Sequence, residues 1–196
     1  MRHKWLLLSL ALPLLLPITA SRSEAKGDIN FILGFKHVDD FEDLTPDGDL
    51  ENQVALGVEM TFRGVDWPVG IAVDLLGSGA EEEFTFLYAF DVEARTAEID
   101  LGVRKIWEIP GKPVRPFLGG GLALARGEIE ASAFGLTADE DDTGVGFWLG
   151  GGVFWRIGDS FNIGLNLRYS AAEVEIGDEE IDVGGLSTGL LLGFGW

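Results

Sequence analysis

The sequence contains no cysteine and only two histidines among its 196 residues. Without cysteine the chain has no disulfide scaffold, no thiol nucleophile, no thiolate ligands for zinc and no site for lipidation of an N-terminal cysteine. Histidine is the most frequent general base in enzymes, and one of the two, His3, lies in the basic start of the chain. Only His37 is left for catalysis, which argues against a hydrolytic enzyme.

Positive charge is scarce as well. The chain has 14 Lys and Arg residues against 33 Asp and Glu residues, for a net charge of −19. Proteins that bind nucleic acid neutralise its phosphates with lysine and arginine, so they need a basic surface. The excess of acidic residues therefore predicts that nucleic acid is not a partner of this protein.

A long apolar run occurs only near the N-terminus, at residues 5–18, after a basic start at residues 2–4. The run is shorter than the roughly 20 residues that a membrane-spanning helix needs. Small residues follow it, and Ser23 and Ala25 have the spacing that a signal peptidase recognises. We predict that residues 1–25 form a signal peptide that is cleaved off.

An uncleaved membrane anchor is the alternative for this N-terminal segment. Pro13 and Pro17 interrupt the run, and proline breaks the interior of a helix, so a signal peptide is the better interpretation. No later stretch of the sequence is long and apolar enough for a membrane helix. Beyond residue 25 the exported chain is expected either to be soluble or to enter a membrane by another geometry.

Apolar side chains alternate with polar or small ones beyond residue 25, which is the period of a half-buried β-strand. The alternation is clearest at residues 53–63 and 161–170. Each segment is close to the roughly 9–11 residues that a tilted strand needs to cross a bilayer. Six further segments fit the same period with varying quality: residues 28–38, 69–77, 94–107, 114–126, 143–156 and 183–196.

The connections between these eight segments alternate between short and long. The long ones are residues 39–52, 78–93, 127–142 and 171–182, whereas the connections between them are short and carry Gly or Pro. Short turns on one side and long loops on the other are typical of transmembrane barrels. We therefore predict an all-β fold over residues 26–196, an eight-stranded antiparallel up-and-down transmembrane β-barrel.

A soluble barrel of the lipocalin type is the alternative fold, because it also alternates apolar and polar residues. Its apolar face, however, points inward around a ligand. Here the polar face carries several charged residues, and a closed lumen buries paired charges better than an apolar ligand cavity does. The transmembrane barrel is the better interpretation.

Aromatic residues are concentrated near the short-turn ends of the predicted strands. Amphipathic rings favour the boundary between membrane and water, and barrels carry girdles of them there. We predict that one membrane interface is lined by Phe62, Trp67, Trp107, Trp155, Phe161 and Trp196.

Charged residues on the polar faces of four strands are expected to meet inside the barrel. They are Glu59, Asp74, Glu98, Asp100, Arg104 and Arg168. We predict that they form an interior ion-pair network. The network could act as the gate of a narrow pore, or it could simply fill the lumen. Filling is the favoured interpretation, since the interior of an eight-stranded barrel is about wide enough to be packed with side chains.

The long connections hold most of the acidic residues. Asp47, Asp49 and Glu51 have the spacing of oxygen ligands, but the glycine and the distant glutamate of a calcium loop are missing. We predict no metal site and no cofactor, and interpret the acidic loops as a solvated, repulsive surface. Catalytic residues are not expected either. Lipid-modifying barrels pair histidine with serine or a carboxylate, and no His-x-Ser pair occurs in the sequence.

The chain resembles the OmpA-type outer-membrane β-barrel family. The resemblance is carried by the run RPFLGGGL at residues 115–122 and by the terminal LGFGW at residues 192–196. It implies a location in the bacterial outer membrane, contact with membrane lipid and lipopolysaccharide, and recognition of the C-terminal strand by the barrel-assembly machinery. It covers residues 26–196, so we expect the barrel domain alone, without the peptidoglycan-binding domain of longer members, and a monomer.

Membership of such a family does not by itself define a function, because one fold serves many roles. We expect a non-enzymatic barrel with a structural or surface-interaction role and a lumen filled by side chains. The alternative is a narrow porin-like channel for small solutes. A lipid-modifying outer-membrane enzyme comes third.

Overall fold

The computed structural model describes residues 25–38, 49–85, 89–133, 136–176 and 179–196. The predicted signal peptide, apart from Ala25, and most of the first long connection lie outside the described residues. Among the described residues, no helix is long and apolar enough to cross a membrane. A 3-10 turn spans Asp49–Glu51. The strands are β1 Lys26–His37, β2 Asn52–Arg63, β3 Gly70–Thr85, β4 Ala89–Ile106, β5 Val114–Ala133, β6 Leu136–Ile157, β7 Phe161–Ala171, β8 Glu173–Ile176, β9 Glu179–Asp182 and β10 Gly185–Gly195.

Eight of these strands close into an antiparallel barrel in the order β1-β10-β7-β6-β5-β4-β3-β2. The predicted fold class is confirmed. The barrel closes where β1 pairs with β10, and Gly27 and Trp196 extend this seam. The Gly27 amide donates to the Trp196 carbonyl at 3.2 Å, and the Trp196 amide donates to the Gly27 carbonyl at 3.0 Å. Closure pairs the backbone groups that hydrocarbon could not solvate.

The apolar faces of the strands point outward, away from the lumen. Leu122 and Val145 are 66% and 71% exposed, whereas inward residues of the same strands, such as Ala123 on β5 and Trp148 on β6, are buried. Water would not favour so continuous an apolar wall, but lipid does. A soluble barrel around an apolar ligand would have the opposite orientation, so the lipocalin-type alternative is wrong.

Most of two predicted long loops is instead strand. The described residues 78–85, 89–93, 127–133 and 136–142 continue the ladders, which extend to the pairs Thr85 with Ala89 in β3–β4 and Ala133 with Leu136 in β5–β6. The acidic residues there break the apolar alternation, and this is why the sequence predicts loops. Strands are paired by backbone hydrogen bonds, which do not require an apolar side-chain face. The ladders therefore continue beyond the membrane, where the side chains are acidic.

The barrel interior is layered along its axis. At the outer end, above the membrane, lies an apolar cluster that includes side chains from the β8–β9 hairpin. We call it the outer cap: Val38, Leu50, Val92, Ala94, Ala125, Ala172, Val174, Ile181 and Val183. Closer to the short turns lies a second cluster, here called the inner apolar layer: Ile32, Ile106, Phe117, Phe154 and Leu191. The six charged residues predicted for the lumen lie on the short-turn side of the outer cap, and the buried Asp28, which pairs with Arg156, lies at the short-turn end.

Close approach of strands β4 and β5 depends on glycine at Gly102. A Cβ added there would lie 2.2 Å from the backbone oxygen of Gly120, whereas a Cβ at Gly77 would meet only the Thr96 oxygen, at 3.9 Å. Gly102→Val should therefore greatly reduce the fraction that refolds in detergent, and Gly77→Val should not. The heat-dependent shift in gel mobility measures the folded fraction. Equal folding of the two variants would contradict this packing argument.

Candidate functional site

The barrel interior holds the six charged residues singled out by the sequence. Each is at most 4% exposed, although all six are ionisable: Glu59, Asp74, Glu98, Asp100, Arg104 and Arg168. Strand pairing explains the placement, because inward positions alternate with lipid-facing ones. Charges so deeply buried are stable only when they are paired and hydrogen-bonded.

Asp74 is the centre of the charged lumen. Its Oδ2 accepts hydrogen bonds from Arg104 Nη2 at 2.6 Å and from Arg168 Nη1 at 2.9 Å. Arg168 also forms an ion pair with Asp100. Asp74 and Asp100 are direct cross-strand partners on β3 and β4, so one arginine from β7, across the bore, reaches both carboxylates.

Glu59 is held mainly by neutral amides. Asn30 Nδ2 donates to Glu59 Oε1 at 3.0 Å, and Asn166 Nδ2 donates to Glu59 Oε2 at 3.1 Å. Arg104 Nη2 lies 3.6 Å from Glu59 Oε2, and Arg104 Nη1 donates to Thr61 Oγ1 at 2.9 Å. Arg104 thus links Glu59 to the Asp74 centre, and the amides satisfy the carboxylate that it only partly neutralises.

Glu98 pairs with a lysine that the sequence analysis missed. Lys36 Nζ lies 2.5 Å from Glu98 Oε1, and it also donates to Thr96 Oγ1 at 3.1 Å and to the Val183 carbonyl at 2.7 Å. Ser170 Oγ donates to the same Glu98 oxygen at 3.0 Å. The sequence could have predicted this position, because Lys36 alternates with the outward residues Phe35 and His37 and therefore lies on the polar, inward face of β1.

Trp148 is a second interior residue that sequence reasoning missed. The Cζ of Arg168 lies 4.5 Å from the centroid of its ring, and that of Arg104 lies 5.6 Å away. An aromatic face attracts desolvated guanidinium groups. Gly119 makes room for the ring, because a Cβ at Gly119 would approach Trp148 to 3.0 Å. A tryptophan among glycines on β6 was the available signal.

Several buried polar atoms of the lumen have no protein partner within the described part of the chain. Three are acceptors and three are donors: Asp74 Oδ1, Asp100 Oδ1, Glu98 Oε2, Arg104 Nε, Arg168 Nε and Trp148 Nε1. Buried polar atoms of this kind commonly bind ordered water. No group of three or more His, Cys, Asp or Glu side chains among the described residues could hold a metal ion.

A second charged cluster covers the short-turn end of the barrel. Glu108, in the turn after β4, lies 3.0 Å from Lys26 Nζ, 3.2 Å from Arg63 Nη2 and 3.1 Å from Arg115 Nη1. Partial burial opposes ionisation of Glu108, but the hydrogen bond from Lys26 and the charges of Arg115 and Arg63 outweigh it and lower its pKa. One carboxylate thus joins cations from β1, β2 and β5.

The six aromatic residues predicted for one membrane interface all lie at this short-turn end. Trp67 is in the turn after β2, and Trp107 directly follows β4. The rings of Phe62 and Trp196 meet edge to face, with centroids 6.4 Å apart, next to the β1–β10 seam. Trp155 lies near the end of β6 on its outward face, and Phe161 begins β7. These positions surround the barrel where its apolar wall ends.

A family model described as the outer membrane protein beta-barrel domain matches residues 6–194. The chain belongs to this family. The resemblance to OmpA-type barrels and the location in the bacterial outer membrane are thereby confirmed. A search of curated proteins by sequence finds no match.

Solved structures with a similar fold are outer-membrane barrels. Ail of Yersinia pestis, in complex with the heparin analogue sucrose octasulfate, is 15% identical, with a TM-score of 0.60 over 88% of this chain and 99% of that one. OprG from Pseudomonas aeruginosa is 11% identical, with a TM-score of 0.55 over 88% of this chain and 96% of that one. At such low identity these similarities concern the fold alone.

Loss of Arg168 should destabilise this outer-membrane barrel strongly. Arg168→Met leaves Asp74 and Asp100 short of their shared cation, and breaking a buried ion pair costs about 3–5 kcal/mol. Adding Asp100→Asn restores the net charge of the buried set and should recover much of the loss. Urea unfolding in detergent measures both effects. The exposed Arg126→Met should change stability by only about 0.5 kcal/mol. An Arg168→Met effect as small as this control would contradict the buried network.

Glu108 should make the stability of the barrel depend on acid pH. Its pKa in the folded state is lowered from the ordinary value of 4.5, so its contribution is present above that pH and is lost as the pH falls below it. The unfolding midpoint of wild type should therefore drop more steeply below pH 4.5 than that of Glu108→Gln. Parallel curves for the two proteins would show that the cations around Glu108 do not stabilise its ionised form.

Proposed function

We propose that this protein is a closed outer-membrane scaffold with a structural or surface-interaction role and a lumen filled by side chains. The observation that carries the proposal is the burial of Asp74 and Asp100, which are 0% exposed although they lie in the bore. Solutes that pass through a pore must reach the residues that line it. Here the outer cap covers the outer end of the charged lumen, and hydrogen-bonded side chains such as Asn30 and Asn162 fill the bore toward the short turns.

The outer cap is held in place by specific hydrogen bonds, which supports a permanent closure. Asp182 Oδ1 accepts from the Ala172 amide at 2.9 Å and from the Gly184 amide at 2.8 Å. Asp142 Oδ2 on β6 accepts from the Glu175 amide at 2.8 Å. The hydrogen bond from the Glu175 amide lowers the pKa of Asp142 below its ordinary value. Asp182 thus closes the base of the β8–β9 hairpin, and Asp142 ties β8 to the barrel wall.

The extended strands support a role at the cell surface. Beyond the membrane, β3 to β6 form a ladder in which Glu81, Glu93, Glu130 and Asp139 are successive cross-strand partners. Like charges placed directly opposite one another destabilise a sheet. An acidic face that projects from the membrane is suited to contact with cationic groups outside the cell.

We infer that the protein is not an enzyme. Beyond the predicted signal peptide the sequence has His37 as its one histidine, and no His-x-Ser pair occurs. His37 Nδ1 lies 3.1 Å from Asn52 Oδ1. The lipid-modifying alternative is the weakest of the three.

A narrow channel for small solutes is the second candidate function. It is favoured by the unpartnered polar atoms at the centre of the lumen, among them Asp74 Oδ1, Asp100 Oδ1 and Trp148 Nε1. Ordered water bound by these atoms would become continuous with water at both ends of the barrel after a small rearrangement of Arg104 and Arg168. In a channel of this kind the two arginines would be the gate.

We further infer that the barrel works as a monomer and is inserted by the barrel-assembly machinery through its C-terminal strand. Strand β10 alternates outward Leu190, Leu192 and Phe194 with buried or small residues and pairs with β1. The closed ladder leaves this strand no edge for a second copy once folding is complete.

Conductance across a planar bilayer distinguishes the closed scaffold from the channel. Refolded wild type, checked by its heat-dependent gel shift, should give no discrete current steps. Arg104→Ala and Arg168→Ala should lower stability without producing current. Reproducible steps in wild type that grow larger in either variant would overturn the closed scaffold and make these arginines a gate.

A further inference from the structure

The charged cluster at the short-turn end has a surplus of positive charge. Four cations on inward strand positions surround this end of the lumen, and we call them the cationic mouth: Lys26, Arg63, Arg115 and Arg156. Within the described part of the chain, the carboxylates that pair with them are those of Asp28 and Glu108. Two positive charges are therefore left over, in a chain whose net charge is −19.

The cationic mouth faces along the barrel axis and not toward lipid. Arg63 directly follows the outward Phe62, and Arg156 directly follows the outward Trp155. Because successive side chains of a strand point to opposite faces, the rings face the membrane and the cations face the lumen. Lipid headgroups surround the barrel, whereas the end of the lumen faces water. Short turns of outer-membrane barrels lie on the periplasmic side, so a ligand of the mouth comes from the periplasm.

Glu108 shows which chemical group fits the cationic mouth. It belongs to the turn between β4 and β5, and its Oε1 lies 3.2 Å from Arg63 Nη2 and 3.1 Å from Arg115 Nη1. Lys26 Nζ lies 3.0 Å from its Oε2. A planar guanidinium matches a carboxylate in geometry. A carboxylate carried by a peptide turn is thus already the ligand of three of the four cations.

Two members of the cationic mouth are accessible from the aqueous side. The side chains of Lys26 and Arg115 are 54% and 22% exposed. Those of Arg63 and Arg156 are 12% and 10% exposed, and both pair with the buried Asp28. An incoming carboxylate would therefore meet Lys26 and Arg115 first, where it would compete with Glu108 for the same donors.

The many acidic residues of the chain do not cancel this surplus. Near the mouth, Lys105 and Lys112 balance Asp66 and Asp159. The acidic ladder of β3 to β6 lies beyond the other end of the apolar wall, which is about 25 Å tall in barrels of this class. Charges in solution are screened over about 10 Å at 0.1 M salt. The field at the cationic mouth is therefore positive.

We propose that the cationic mouth docks an acidic peptide segment of a periplasmic partner protein. Carboxylates of that segment pair with Lys26 and Arg115, beside Glu108 or in its place. The inference goes beyond the proposed scaffold role. It rests on that role only for the orientation of the barrel in the membrane, and not on the closure of the lumen.

Binding of fluorescently labelled hexaglutamate to the refolded full chain in a neutral detergent, measured by anisotropy, tests the site. Wild type should bind the peptide, and added salt should weaken the binding. Lys26→Gln/Arg115→Gln should bind roughly fivefold more weakly, because two exposed ion pairs are lost. Glu108→Gln should bind more tightly than wild type, because the internal competitor is removed. The heat-dependent gel shift verifies that each variant is folded.

The matched control is Arg95→Gln/Arg126→Gln, which removes two exposed arginines at the other end of the apolar wall. It should bind hexaglutamate like wild type. An equal loss of binding in this control would show that net charge alone attracts the peptide. No binding by wild type, or a Glu108→Gln variant that binds no more tightly than wild type, would also overturn the site.

An anionic lipid headgroup is the other occupant that the experiment must distinguish. Native mass spectrometry of the same variants measures retention of phosphatidylglycerol. Retention that is lost in Lys26→Gln/Arg115→Gln, together with no binding of hexaglutamate, would replace the peptide by a membrane lipid. Current steps from wild type in a planar bilayer would overturn the closed scaffold and leave the docking site standing.

Discussion

Hydrocarbon cannot hydrogen-bond a peptide group, and the rest of this structure depends on that constraint. A sheet that crosses a membrane must pair all of its backbone donors and acceptors, so it must close. Closure at eight strands fixes a narrow bore. The bore in turn limits what the inward positions can hold, and wherever strands approach each other closely, as at Gly102 and Gly121, they hold glycine.

A narrow closed bore changes the chemistry of the charges inside it. Asp74, Asp100 and Arg168 would exchange with water on a surface, but inside the closed bore they depend on one another. Trp148 adds an aromatic face to the guanidinium groups of Arg104 and Arg168. The same residues that would line a pore therefore hold the strands of the barrel together from within, and this dual character keeps the scaffold and the channel as the two functions to compare.

The two ends of the barrel are built on different principles. The short-turn end carries the ion pairs around Glu108 and a surrounding set of aromatic rings, as we predict for a membrane interface. The outer end is closed by the apolar outer cap and carries strands that extend into water with acidic faces. On the outer wall, Arg95 and Arg126 lie at the transition, where the apolar stripe ends and the acidic ladder begins.

The amino-acid sequence alone determined the number of strands, their lipid-facing sides and the inward position of six charged residues, because each depends on a period of two that can be counted along the chain. It could not determine which charges meet, since Glu98 and Lys36 are 62 residues apart and their contact depends on register and curvature. The length of β3 to β6 was missed for a related reason. Outside the membrane, strands pair through backbone hydrogen bonds with their neighbours and need no lipid-facing side chains, so the sequence carries no apolar alternation there. The closed lumen likewise exists only when distant strands are brought together.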